Sequence, residues 1–302
     1  MPLKNRIIFI LALVPHLVFA SQENLGDDWT QTFQIEDTIL NERSAYQKIT
    51  IFSNRSLGKI LMIDDMVQYS EKDEFIYHEM LSHVPLTIHP NPKRVLIIGG
   101  GDGPCLREVV KHSSLESIIV VELDGRIVDL CKQNFSNLAN GAFEDSRVHL
   151  LIDDGYNYLK KSNYTFDVII VNSTDPLGPA RSLFHKHFYN LCKEVLNPQG
   201  ILVCQSGSPI TQLAMLRKSQ GLQKQIFNTS LFYFAPAPSQ LGGIKAFSIS
   251  FKNEPPEFLE SKRIKKRFKA IESQLKYYNP KIHRSSFETP KYLDKELQQN
   301  TN

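Results

Sequence analysis

From residue 94 onward, short apolar strands and amphipathic helices alternate with little between them, and this alternation limits the fold more than any other feature of the chain. Branched and apolar runs predict strands at 94–99, 117–122, 147–151, 166–171 and 200–205. Helical periodicity fills the gaps at 104–112, 125–135, 155–161 and 182–195. Strands joined by crossovers of that length run parallel, and a parallel sheet must be covered on both faces. Two later β runs, 230–236 and 244–251, are expected to finish the sheet as an antiparallel hairpin.

The preceding segment reads differently. Between Phe33 and Ser70 lie short β runs such as Lys48-Ile-Thr-Ile-Phe52 and Lys59-Ile-Leu-Met-Ile63, separated by the turn signals Asn54-Arg-Ser56 and Asp64-Asp65. They predict a small antiparallel module. A helix from about Glu71 to Val84 should end at Pro85, and Pro90 to Pro92 mark a boundary. The first twenty residues have a basic start, an apolar run and the small-residue end Val18-Phe19-Ala20, the pattern of a cleaved export signal. The expected division is therefore 1–20 leader, 21–89 β module with its linking helix, and 90–302 Rossmann-like domain with a helical tail. The apolar run is too short for a stable membrane span.

Composition excludes several classes of function. Hydrophobic residues make up 41% of the 302, ample for a large core, and a net charge of +3 is too mild to imply nucleic acid. The basic run Lys262 to Lys269 reads as a solvated helix face. Cys105, Cys131, Cys192 and Cys204 have no paired spacing and read as core residues. No metal constellation is evident, and His83, His89 and His112 read as packing or surface residues. Five Asn-X-Ser/Thr matches, at 54, 134, 163, 172 and 228, are too short a pattern to carry weight.

The chemistry sits at the carboxyl ends of the strands. The first βα turn is Gly99-Gly-Gly-Asp-Gly103, Glu122 ends the next strand, and Asp153-Asp-Gly155 ends the third. Glycines let a backbone approach a ligand, and an acid some twenty residues on can hold a ribose diol. The three features together describe a nucleoside site. Asp102 inside the turn opposes an anion, which favours a cationic nucleoside over a dinucleotide.

These residues resemble the spermidine synthases, a family of polyamine aminopropyltransferases. The likeness is carried by Asp73-Glu-Phe-Ile-Tyr-His-Glu79, Gly99-Gly-Gly-Asp-Gly103, Val121-Glu-Leu-Asp124, Ser173-Thr-Asp-Pro-Leu-Gly-Pro179 and the tail Tyr277-Tyr-Asn-Pro-Lys-Ile-His283. It implies an α/β fold in which a small N-terminal antiparallel β module precedes a Rossmann-like, methyltransferase-type open sheet. It also implies transfer of a propylamine group from decarboxylated S-adenosylmethionine to putrescine, giving spermidine and methylthioadenosine, with no cofactor beyond that co-substrate. By the same resemblance Gln47, His78 and Asp102 would meet amine groups, Glu122 the ribose, and Asp154 and Gly155 the adenine. Tyr77 and Pro179 would line the channel, and a homodimer or homotetramer would form.

The chain departs from the family at the base. Alkylammonium groups lose their proton near a pKa of about 10, so the acceptor must be deprotonated before it can attack. In the family the first acid of an acid-x-x-acid pair serves, helped by a later Tyr. Here that acid is Asn172, which leaves Asp175, the second acid of the pair, as the candidate base and an acceptor-binding residue, and the Tyr becomes Ala237 if Pro238-Ser239 is the matching segment. Asn cannot hold a proton or a negative charge. A non-catalytic polyamine- or nucleoside-binding protein is thus one alternative. An S-adenosylmethionine-dependent N-methyltransferase is another, opposed by Asp102 and by Ile97 where many methyltransferases carry an acid. The leader points to an exported protein, whereas the family would be cytoplasmic.

Overall fold

The computed structural model describes residues 20–25, 29–173 and 178–298. The chain opens with a hairpin of β1 (Ala20–Leu25) and β2 (Trp29–Gln34), paired from Ala20 opposite Gln34 to Leu25 opposite Trp29. A four-stranded antiparallel sheet follows, from β3 (Asp37–Arg43), β4 (Lys48–Asn54), β5 (Gly58–Ile63) and β6 (Met66–Ser70). Its alternation puts Ile49, Ile51 and Leu61 on one face, packed against Ile127, Leu130 and Phe135 of the second sheet's cover. The first hairpin was not foreseen. The rest of the module agrees with the expected antiparallel sheet.

Helix α1 (Glu74–Ile88) links the two sheets, and it runs through Pro85 instead of stopping there. A proline inside a helix costs about 3 kcal/mol. Every residue from Tyr77 to Ile88 is buried, and burying that surface outweighs the lost hydrogen bond.

The second sheet has seven strands. Its first half is β7 (Arg94–Ile98), α2 (Pro104–Val110), β8 (Ser117–Glu122), α3 (Gly125–Asn134), the short α4 (Ser136–Ala139), β9 (Val148–Ile152) and α5 (Gly155–Lys161). Its second half is β10 (Phe166–Val171), a 3₁₀ segment at Gly178–Phe184, α6 (Lys186–Val195), β11 (Leu196–Gln205), α7 (Leu213–Ile226), β12 (Thr229–Pro236) and β13 (Ile244–Phe251). The tail carries α8 (Lys262–Ile271), α9 (Pro280–Ser286) and α10 (Lys291–Gln298). The strand order is β12-β13-β11-β10-β7-β8-β9, with β11, β10, β7, β8 and β9 parallel and β13 antiparallel to both of its neighbours, β11 and β12.

Two elements differ from expectation. The helix predicted over 182–195 is a 3₁₀ segment and then α6, because the chain turns between Phe184 and Lys186. Helix α7 was missed altogether: Gly221 lies inside it, and its buried side includes Ser219, Gln220 and Gln223, so apolar periodicity is weak. Gln223 bonds to Ser248 (3.0 Å), Ser230 (3.3 Å) and Ser250 (2.8 Å) on β13 and β12, a polar seam in place of an apolar one. The four cysteines are free and buried, as their spacing suggested. Among the described residues no helix is long and apolar enough to cross a membrane.

The order of the strands locates the site. From β7 the chain builds outward through β8 and β9, then returns to β7's other side for β10 and β11. The carboxyl ends of β7 and β10 therefore diverge, which opens a crevice at the switch point.

Candidate active site

Gly99 follows β7 and Asn172 follows β10, on the two sides of that crevice. Gly99 stands at φ +76°, and a Cβ there would lie 2.4 Å from the Asn172 carbonyl oxygen. Only glycine allows the two loops to meet so closely. A Cβ on Gly101 would lie 2.4 Å from Cγ of Glu122, so the turn also fits against the end of β8.

The cavity above these loops admits water centres over about 160 Å³, room for many waters or a nucleoside-sized guest. Gln47, Tyr77, His78, Asp102, Glu122, Asp154, Gly155 and Asn172 all line it, joined by Tyr69, Asp124 and Gln68. Asp175 lies outside the described residues, as does the side chain of Pro179.

Glu122 accepts the backbone N–H of Gly101 on one oxygen and that of Asp124 on the other, each at 3.0 Å. Burial pushes its carboxyl up to about 7, and those two N–H groups limit the rise. Each oxygen keeps a lone pair for a ribose hydroxyl. Asp124, not foreseen as a site residue, accepts from Ser44 Oγ (2.6 Å), Gln47 Nε2 (2.9 Å) and its own helix's Arg126 N–H (3.1 Å). The amide nitrogen of Gln47 is thus committed to Asp124, which ties the N-terminal sheet to the second. Asp154 caps α5 by accepting the Asn157 N–H at 2.8 Å, so it serves as a helix cap whatever else it holds.

Asp102 is the group out of balance. Its Oδ1 is sealed from solvent and has no hydrogen-bond partner among the described residues. Burial raises its carboxyl above the ordinary range, and the nearby His78 and the Gly103 N–H pull it down. His78 is held through Nδ1 by the Glu74 carboxylate (2.9 Å) and carbonyl (2.8 Å). Glu74 is gripped in turn by both terminal nitrogens of Arg107, at 2.8 and 2.9 Å. Burial raises the Glu74 carboxyl, and His78 and Arg107 reverse this to leave it below its ordinary value.

At position 172 the amide oxygen accepts the Tyr77 hydroxyl at 2.9 Å. The Asn172 N–H donates to the Ile98 carbonyl at 2.9 Å. Ala237 does not line the cavity. It is buried in the turn after β12, where its N–H donates to Gly243 and its carbonyl accepts from Gln240. Gln240 of the same turn does line the cavity. The turn is clamped by Asp73, which accepts the Ser239 N–H (2.7 Å) and hydroxyl (2.8 Å). Lys245 of β13 also reaches the cavity and was not foreseen, since nothing in its local pattern marks it. Among the described residues no cluster of His, Cys, Asp or Glu could hold a metal ion.

Comparison with known proteins gives the same family from three directions. Residues 74–261 match the spermine/spermidine synthase domain, and residues 18–71 match the spermidine synthase tetramerisation domain. The polyamine aminopropyltransferase of Klebsiella pneumoniae (strain 342) is 44% identical over 271 residues, 90% of this chain and 95% of that protein. That of Escherichia coli O127:H6 is 42% identical over 275 residues, covering 91% and 96%. A crystal structure of spermidine synthase in complex with the transition-state analogue AdoDATO superposes with a TM-score of 0.88 at 34% identity, covering 95% of this chain and 97% of that one. The Thermotoga maritima spermidine synthase gives 0.85 at 32%, covering 95% and 96%. The chain belongs to the spermine/spermidine synthase family.

Proposed function

We propose that the protein transfers an aminopropyl group from decarboxylated S-adenosylmethionine to a primary amine, releasing methylthioadenosine. The observation that carries this reading is the buried, unpartnered carboxylate oxygen of Asp102 in the cavity. An uncompensated buried acid calls for a cation, and the decarboxylated donor brings an ammonium with no carboxylate beside it. Intact S-adenosylmethionine would place a carboxylate against Asp102, which counts against methyl transfer. Ile97, an apolar residue buried in the sheet's core where many methyltransferases carry an acid, supports the same choice. Glu122 receives the ribose diol, and Asp154 and Gly155 border the adenine. No cofactor is needed. The tetramerisation-domain match supports a homo-oligomer built through the N-terminal sheets, and light scattering on the full chain tests it. Export rests on residues 1–20, and finding Ser21 as the mature N-terminus would establish it.

The acceptor's nitrogen attacks the carbon beside the sulfonium as a neutral amine. With Asn172 in place that position supplies no charge to hold the incoming ammonium or take its proton, and Asp175, the second acid of the pair, is the remaining candidate base. Without a base the rate rises about tenfold per pH unit below the amine's pKa of about 10, and a flatter profile marks Asp175 as the base. The test is methylthioadenosine release by the full chain with putrescine, beside Asn172→Asp. That variant keeps the Tyr77 hydrogen bond and adds a base, with a gain of about 10²–10⁴ near neutral pH. Turnover that depends on both donor and amine upholds the reading. Tight methylthioadenosine binding without turnover in either protein favours a binding protein, the reading to which Asn172 lends weight.

A further inference from the structure

Arg107 stands one turn into α2 and is not among the described residues that line the cavity, yet it is held on every side. Its two terminal nitrogens donate to the two oxygens of Glu74 at 2.8 and 2.9 Å. One of them also donates to the Leu138 carbonyl at 2.9 Å, and Nε donates to Glu108 at 2.6 Å. The side chains of Glu74 and Glu108 are buried, so these ions lie out of reach of water. A planar fork bound through both nitrogens fixes the plane of the carboxylate as well as its position.

That carboxylate is aimed at His78, one helical turn further along α1. Nδ1 of His78 meets the Glu74 carboxylate at 2.9 Å and the Glu74 carbonyl at 2.8 Å. Both of these groups only accept, so Nδ1 carries the hydrogen. Tyr69 and Tyr77 flank the ring edge-on, with centroids 5.7 and 5.0 Å away, and hold its plane. In the neutral ring Nε2 then keeps its lone pair on the side away from Glu74, and no hydrogen bond to it is found among the described residues. A bare nitrogen near the unpartnered oxygen of Asp102 gives the cavity two acceptors for an ammonium with three N–H groups. An Nε2 that carried a hydrogen would instead donate to Asp102 and occupy the acid itself. Arg107 opposes that state by cancelling the charge of Glu74, which would otherwise pair with an imidazolium.

We propose that Arg107 is the positioning residue for recognition of the donor's ammonium: through Glu74 it fixes the hydrogen of His78 on Nδ1 and leaves Nε2 as the second acceptor beside Asp102. This rests on the aminopropyl-transfer reading and assigns part of its donor selectivity to a residue outside the cavity. Methylthioadenosine, which lacks the aminopropyl arm, should be indifferent to it.

The test compares decarboxylated S-adenosylmethionine with methylthioadenosine by calorimetry on the full chain, the parent beside Arg107→Met and Arg107→Lys. In Arg107→Met the ratio of the two affinities should fall about tenfold, the worth of one charge-assisted hydrogen bond, while methylthioadenosine binds within about threefold of the parent. Arg107→Lys keeps the charge without the fork and should recover part of the ratio. Nitrogen NMR spectra of the histidines in the ligand-free proteins give a second readout, with His78→Gln to assign the signal. Above neutral pH the parent should show a protonated Nδ1 and a bare Nε2, and in Arg107→Met Nε2 should gain a hydrogen. Equal weakening of both ligands would reduce Arg107 to a support of the fold and overturn the inference. So would a ratio that survives Arg107→Met, or a parent spectrum with the hydrogen on Nε2, a result that needs no variant to fold. A parent that binds methylthioadenosine and not the donor would sink aminopropyl transfer alone, since the spectra would still decide what Arg107 does to His78.

Discussion

Replacing Glu122 with Gln separates what the site needs from what the fold prefers. Glu122 holds its proton up to about pH 7, against 4.5 for a free side chain, because burial disfavours its charge. A carboxyl that binds its proton more tightly when folded stabilises the fold while protonated. That contribution is complete below about pH 4.5, declines as pH rises, and is gone above about 7. The span between the two values is worth about 3 kcal/mol. Gln cannot titrate, so its variant lacks this slope. It also turns an N–H₂ towards either the Gly101 or the Asp124 N–H, a clash of donors costing about 1–3 kcal/mol at any pH. Urea unfolding of both proteins at pH 4.5 and 8.5 removes that constant offset. The stability of Glu122→Gln relative to the parent should improve by about 3 kcal/mol from the lower pH to the higher. An offset equal at both values would refute the idea that Glu122 is held at a cost. Methylthioadenosine affinity should fall at least tenfold in the same variant, from the loss of a charged acceptor for the ribose.

Asp102→Asn should lose the preference for decarboxylated over intact donor. Two unit charges ~4 Å apart interact by about 4 kcal/mol at an effective dielectric near 20, so a loss of order 10²–10³ in the affinity ratio is expected by calorimetry. In the parent protein, donor binding should weaken as pH falls through the raised Asp102 value, whereas the Asn variant should show no such limb. Gly101→Ala puts a methyl 2.4 Å from Glu122 Cγ and 2.8 Å from Val128 Cγ2, and should abolish methylthioadenosine binding while circular dichroism still reports a folded chain. Glu79→Gln weakens three backbone hydrogen bonds to residues 276–278 at 2.7–2.9 Å, and should lower stability by about 2–4 kcal/mol with earlier proteolysis of the tail.

The second sheet was legible in the sequence because its strands are buried on both faces and read as unbroken runs such as Val168-Ile-Ile-Val171. The donor half of the cavity was legible for a related reason: a turn that must approach a ligand needs glycines, and these stand directly after the strand. Pro85 misled because a local rule about prolines cannot weigh the burial of a whole helix. Helix α7 escaped because its inner face mixes the apolar Leu216 and Ile226 with Ser219, Gln220 and Gln223, the last bonded to serines, so the apolar spacing is broken. The other part of the cavity lining includes Glu23, Gln68, Gln240 and Lys245, which come from separate segments of the chain. No spacing rule connects them. Residues 1–19 of the leader expected over 1–20, and Asp175, lie outside the described residues.

Helix α1 bears Tyr77 and His78, yet among the described residues Glu79 beside them is satisfied by the N–H groups of Lys276, Tyr277 and Tyr278, 197 to 199 positions later. During synthesis the helix leaves the ribosome early and must wait, with a buried carboxylate still unpaired, until nearly the whole chain has followed. Completion of the face that bears Tyr77 and His78 is therefore a late event in the life of each molecule. A chain released before residue 276 should keep both sheets' strands and still present no ordered binding site.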